Sequence, residues 1–301
     1  MSIPTPPAGH ASTGSLTSRI RIKIAQPIDN HPTANQETWP EYLRMQHPNA
    51  TLIYDSGSFG ALELHLLPTP NSKEDSDLLA HYLWDSSLLL SQLIAGSAQH
   101  GHEARWSVRG SRVLELGSGT GLVGVICALA GAERTVLTDF PASDILENIR
   151  GNVERNVMSR QQRSLLRQRD GVSVEAHKWG DLHDAFAKSN AHQFTRVVAT
   201  GCLWLPEQHE SIARSMAQFL AKGREAEVWV VSGFFLGREK LARFFAIARA
   251  EGLDVREVFE QNAVGDRREW MVDRGLEDVK ETVEQGWLLV AVLCQRDGES
   301  S

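Results

Sequence analysis

The sequence predicts an α/β fold: a mostly parallel sheet with helices on both faces, preceded by an N-terminal extension that carries a β-hairpin. Three observations predict it. Residues 113–126 (VLELGSGTGLVGVI) read as a short apolar strand, a turn with glycines at 117, 119 and 121, and an apolar helix from near Leu122. Residues 135–139 (TVLTD) then read as a second strand that ends in an acid. From there to Cys294, strand-like and helix-like segments alternate, which is the rhythm of strand–helix–strand units.

Composition bounds the function. The 301 residues are 42% hydrophobic and 23% charged, close to an ordinary soluble domain and long enough for a sizeable core. A formal charge of -7 argues against nucleic-acid binding through a global positive field. No apolar run reaches the length of a membrane span. Cys127, Cys202 and Cys294 have no metal-ligand spacing and lie in apolar segments. They read as core thiols of a reducing compartment, so a cytoplasmic protein is expected, with no metal. No pattern sets an oligomeric state.

Taken in order, residues 1–36 are rich in Pro, Ser, Thr and Ala, and a disordered or loosely docked arm is expected. Within it, residues 18–25 alternate (Ile20, Ile22, Ile24) as a short edge strand. Arg19, Arg21 and Lys23 precede the first acid, Asp29, but the prolines and poor amphipathicity are unlike an organelle transit peptide. Residues 37–76 form the extension. It holds a helix start or docking turn at 39–43, then strands at 51–54 and 61–67 joined by a Gly/Ser turn and ended by Pro68.

Residues 77–301 form the main domain, beginning with an apolar helix over 77–94. After the strand at 135–139, Pro141 fits a first helical position. The helix that follows carries Asn148, Asn152 and Asn156 on one face, read as solvated. An exposed stretch at 159–171 leads to strand three at 172–176, and strand four follows at 194–200. A helix at 207–222, strand five at 227–232 and a helix at 238–251 ended by Gly252 come next. Strand six spans 254–260, a charged, solvated excursion 262–285, and a last apolar strand 287–294.

The glycine turn carries the chemistry. A dinucleotide fingerprint needs G-x-G-x-x-G, and counted from Gly117 its last glycine falls on Leu122. What stands instead is an acid and three alternate glycines, E-x-G-x-G-x-G from Glu115. This resembles motif I of the class I, seven-strand methyltransferases that use S-adenosylmethionine (SAM) and release S-adenosylhomocysteine. The resemblance implies a Rossmann-like seven-stranded sheet whose last strand is antiparallel. It also implies that Glu115 lies near the methionine end of SAM, that Gly117, Ser118 and Gly119 line its site with Ala199 of strand four, and that Asp139 takes the ribose hydroxyls.

Leu83-Trp84-Asp85 resembles the element before motif I in the lysine methyltransferase-like group, where the tryptophan helps close the cofactor site. Trp179-Gly180 resembles that group's element after strand three, whose tryptophan lies beside the adenine. For Trp84 a core position is the plain alternative. The element order is most similar to fungal elongation-factor or nicotinamide N-methyltransferase-like proteins.

After strand four that group has D-x-x-Y or D-x-x-F/W, in which the acid orients an accepting amine. Here the residues are Gly201-Cys202-Leu203-Trp204. Trp204 keeps the aromatic, a wall of the acceptor pocket, while the acid position is glycine. Glu207, His209 and Asp181 are the nearest chemical substitutes in sequence, but each reads first as a helix-start or surface residue. The resemblance implies methylation of an amine on a protein, a lysine or an N-terminus. Methylation of a small metabolite at N or O, or cofactor binding without methyl transfer, are the alternatives.

Overall fold

The computed structural model describes residues 16–24, 50–67, 80, 82–98, 104–159, 171–234, 237–275, 282 and 285–296. Its strands are β1 (Ile20–Ile24), β2 (Ala50–Asp55), β3 (Ala61–His65), β4 (Arg112–Leu116), β5 (Arg134–Asp139), β6 (Val172–Ala176), β7 (Arg196–Thr200), β8 (Glu227–Ser232), β9 (Leu253–Gln261), β10 (Arg267–Glu269) and β11 (Leu288–Gln295). Its α-helices are α1 (Asp85–Ser97), α2 (Leu122–Leu129), α3 (Ser143–Val153), α4 (Ala185–Ser189), α5 (His209–Phe219) and α6 (Arg238–Ala250).

The main sheet has the order β10-β9-β11-β8-β7-β4-β5-β6. β4 pairs in parallel with β5 and β7, β5 with β6, and β7 with β8, while β11 runs antiparallel between β8 and β9. These are the seven expected strands, with β10 added antiparallel to β9 at the edge. Successive residues of a strand face opposite sides, and both sides here are covered, which is why the strands read as unbroken apolar runs. Val113, Leu137 and Val198 pack in one core with α1, α2 and α3, while Leu114, Val136 and Val197 pack in the other with α5 and α6. From β4 the chain winds outward to β6, then crosses back to β7 on the other side. That reversal opens a crevice at the carboxyl ends of β4 and β7.

β1, β2 and β3 form a separate antiparallel sheet. The edge strand expected at 18–25 is thus β1, paired with the hairpin. Leu52, Tyr54, Leu62 and Leu64 are buried in the same core as Leu88, Leu90 and Ile94 of α1. The outer edge of β3 would leave backbone groups unpaired, and asparagines from the α3 side meet them. Asn156 Oδ1 accepts from Glu63 N at 2.8 Å while its Nδ2 donates to Glu63 O at 2.7 Å. Asn152 does the same with His65, at 2.8 and 3.0 Å, and Asn148 Nδ2 donates to His65 O. A primary amide offers the donor and acceptor that a neighbouring strand would. The face read as solvated is therefore an interface, with Asn152 fully buried and Asn156 2% exposed.

Other expectations also shift. The helix expected from 77 begins at Asp85, because Trp84 is extended (φ -85°, ψ 146°) and only its carbonyl enters the helix. Pro141 precedes α3 rather than starting it, since Ala142 is the extended cap. α5 stops at Phe219, where Leu220 turns extended to bridge Phe194. The excursion after β9 is anchored: the fully buried Glu260 side chain pairs with Arg238, Arg268 and Arg274, so its arginines answer a buried acid rather than solvent alone. Residues 39–43 and 160–170 lie outside the described residues, as does most of 1–36. Among the described residues no helix is long and apolar enough to cross a membrane.

Asn152→Ala would leave the His65 amide without its partner, at about 1–3 kcal/mol, while the His65 carbonyl keeps its bond from Asn148. The expected result is a lower urea midpoint and faster hydrogen exchange at the His65 amide. Asn148→Ala removes a single bond to His65 O, and a cost of about 1 kcal/mol or less is expected.

Candidate functional site

The crevice opens into a cleft lined at its base by Gly117, Ser118, Gly119 and Thr120, at the β5 end by Asp139 and Phe140, and at the β7 end by Thr200 and Gly201. Gly117 has φ +67°, a conformation that glycine adopts without penalty. A Cβ there would lie 2.8 Å from Trp179 Cζ2 and 2.9 Å from Cys202 Sγ. The space that this glycine leaves is filled by two of the chain's own side chains.

Two acids hold the turn. Asp139, 8% exposed on the cleft wall, accepts Gly119 N at Oδ2 and Phe140 N at Oδ1, both at 2.7 Å. Burial raises its pKa above the ordinary aspartate range, against the pull of those two bonds. Each oxygen keeps a lone pair for a hydroxyl in the cleft. Glu115, 1% exposed, stands behind the turn and outside the lining. Its Oε2 accepts Gly124 N at 2.9 Å, one of the free amides in the first turn of α2. Gly121, the N-cap, has no side chain, so Glu115 serves as the cap from the preceding strand. Burial pushes its pKa up to about 8.

Trp84, Trp179 and Trp204 all lie on the lining, as do Gly117, Ser118, Gly119 and Asp139. Ala199 does not: it is buried in β7 on the α5 side, and its neighbour Thr200 reaches the cleft instead. Thr200 Oγ1 lies 2.8 Å from Ser87 Oγ, which ties the first turn of α1 to the end of β7. Gly201 has φ +66°, and a Cβ on it would stand 3.2 Å from Trp84 Cγ and 3.1 Å from Ser86 Oγ. A side chain here would press on Trp84 and Ser86, which would have to give by a few tenths of an ångström.

None of the three sequence-neighbour substitutes lines the cleft. Glu207 and Asp181 are exposed, and Asp181 caps the turn at His183 N. His209 is buried with Nε2 3.0 Å from Leu203 O and its ring edge-on to Phe244. Residues passed over in sequence include Tyr82, whose ring meets Trp84 edge-on at 5.6 Å, and Phe140, which follows the strand-final acid. The close spacing of Tyr82 and Trp84 was a usable signal. His177 also lines the cleft, but its Nε2 lies 2.9 Å from Ser215 Oγ and its ring packs edge-on to Phe219; burial lowers its pKa.

The sequence profile of a family described as lysine methyltransferase matches residues 70–248, more than half of the chain. The chain belongs to the lysine methyltransferase family. Among curated relatives, the protein N-terminal and lysine N-methyltransferase EFM7 of Gibberella zeae is 25% identical over 256 residues, 81% of this chain and 89% of that protein. Its counterpart in Schizosaccharomyces pombe is 27% identical over 217 residues, 68% and 76% of the two chains. Among solved structures, a chain described as a SAM-dependent methyltransferase from Streptococcus mutans superposes with a TM-score of 0.53 at 11% identity. A methyltransferase complexed with S-adenosylhomocysteine gives 0.52 at 10%. Each match covers 83% of this chain but 57% of the other, and each shows the fold alone.

A member of this family is a SAM-dependent methyltransferase, and the residues present fit that cofactor. The free lone pairs of Asp139 suit ribose hydroxyls, and an aromatic plane suits the adenine.

Asp139→Ala is expected to weaken SAM binding at least tenfold in calorimetry, since it removes the carboxylate and frees the Gly119 amide. Glu115→Gln keeps an acceptor for Gly124 N and gives a test of the raised pKa. In the folded chain Glu115 holds its proton to about pH 8, whereas the unfolded chain loses it near 4.5. Stability from this group is thus complete below pH 4.5 and is lost as pH rises through about 8. The unfolding midpoint of Glu115→Gln, relative to the parent, should climb from pH 5 to pH 9. A flat difference would mean that Glu115 is ionised throughout.

Proposed function

We propose that this enzyme methylates an amine on a protein. The observation that carries the reading is the β7 end of the cleft, where Trp84, beside Gly201, and Trp204 both line the wall. Aromatic faces bind alkylammonium and amine groups by cation–π and dispersion contact, worth about 0.5–2 kcal/mol each. The family membership and the activity for which the EFM7 relatives are named, on protein N-termini and lysines, support the same acceptor.

In this reading Asp139 takes the ribose hydroxyls with the oxygen lone pairs left by Gly119 and Phe140. Trp179 lies beside the adenine. Gly117, Ser118 and Gly119 bound the methionine end, and Glu115 holds their turn through α2. Bound SAM supplies an activated methyl on sulfur, so the protein's task is alignment and exclusion of water. Trp84, Tyr82 and Trp204 provide the dry wall against which the nucleophile is aimed. Three unpaired cysteines, two of them buried, support a cytoplasmic setting.

The test is label transfer from methyl-tritiated SAM into extract of cells lacking the gene, with the Asp139→Ala protein as blank. Label in the acid precipitate is the expected result. Counts confined to soluble organic material would replace this reading with a metabolite methyltransferase. No counts above the blank, with SAM still bound, would leave a cofactor-binding protein without transfer.

A further inference from the structure

We propose that His177, between Ser215 and Asp184, is a positioning residue for SAM: it sets the Trp179-Gly180 turn at the adenine end of the cleft. The proposal rests on the placement of Trp179 beside the adenine and adds what holds that tryptophan there.

β6 ends at Ala176, and the next amide, His177 N, still donates to Asp139 O at 2.9 Å. The chain then leaves the sheet and turns, with Asp181 N donating to Lys178 O and Gly180 at φ +80°. Trp179 and Gly180 are the two central residues of this turn. It lies directly on α5: a Cβ on Gly180 would stand 3.0 Å from Ser211 Cβ. From there the indole reaches the floor, its Cζ2 2.8 Å from the Cβ position of Gly117. A small shift of the turn therefore changes the width of the slot above Gly117.

One oxygen ties the turn to α5. Ser215 Oγ, fully buried, accepts Gly180 N at 2.8 Å and lies 2.9 Å from His177 Nε2. Burial lowers the His177 pKa and keeps the ring neutral. Asp184 Oδ2, 3.5 Å from Nδ1, favours the imidazole proton on that nitrogen. Nε2 is then an acceptor, and the single Ser215 hydroxyl proton goes to it. Asp184 is itself fixed, its Oδ1 accepting Ala187 N as the cap of α4. The polarity runs from Asp184 through His177 and Ser215 to the amide of Gly180.

Serine, histidine and aspartate in this order also make the relay of a hydrolase. Here the serine is fully buried and commits a lone pair to Gly180, so its oxygen is not presented to a substrate. His177 is 1% exposed, its ring edge-on to Phe219 at 4.9 Å and tilted against Phe186 at 6.1 Å. An aliphatic side chain would satisfy those two rings. Only a polar one can take the Ser215 hydroxyl, and a buried polar group without a partner is costly. The histidine is explained by the turn it orients.

The experiment measures SAM affinity by calorimetry in a double-mutant cycle of His177→Leu and Trp179→Ala. His177→Leu keeps the apolar packing and loses the acceptor, and a loss of about five- to tenfold in affinity is expected, the size of one hydrogen bond. Because the histidine acts through the tryptophan, the double variant should bind no more weakly than Trp179→Ala alone. His177→Gln, which can place a polar atom near Nε2, is expected to recover most of the affinity. Ser215→Ala severs the same chain from α5 and should lose affinity as His177→Leu does. Unchanged affinity in Ser215→Ala, with Trp179→Ala impaired, overturns the proposal, even where His177→Leu does not fold. Additive losses in the cycle overturn it as well. A Trp179→Ala protein that binds SAM as the parent does removes the tryptophan reading itself, and the proposal with it.

Discussion

Two carboxylates on neighbouring strand ends hold the glycine turn, and the rest of the site depends on them. Asp139 grips the turn from the cleft side through Gly119 N, and Glu115 grips it from behind through Gly124 N. The turn joins the central strand β4 to α2, so its path decides where the floor of the cleft lies. Removing both acids from water costs free energy, expressed in their raised pKa values. Of the two, Asp139 alone faces the cleft, where its free lone pairs are open to a ligand.

A second constraint is the contact between the N-terminal sheet and the domain. β3 presents an edge that another chain could pair with, and Asn152 and Asn156 cover it by copying a strand's hydrogen bonds. Asn152 also donates to Thr120 O on the cleft lining. The extension is thereby tied to the same turn that the two acids hold. Beyond β3 the chain returns as Ala80, Tyr82 and Trp84 on the cleft wall, so the placement of the sheet bears on the shape of the acceptor end. At the far edge, Glu260 gathers Arg238, Arg268 and Arg274 and fixes the segment after β9 in the same manner, by one buried acid.

The sequence by itself determined the α/β class, seven of the eight strands of the main sheet and the location of the floor. Those features rest on local signals: apolar runs of strand length, glycines at alternate positions, and an acid closing a strand. The family resemblance placed Trp84, Trp179 and Trp204, and all three line the cleft. What only the tertiary structure decided was which polar residues face one another. Asn148, Asn152 and Asn156 look like a solvated stripe until β3, some ninety positions earlier, supplies partners. Glu115 carries the signature acid of its motif, yet it caps a helix behind the turn because α2 folds back over it. Gly201 reads as a missing acid in one dimension; in three, its Cβ position is in tight contact with Trp84, from a segment more than a hundred residues away. Patterning reports which side of an element is buried, whereas long-range pairing of polar groups depends on where the chain returns, and no local window contains that information.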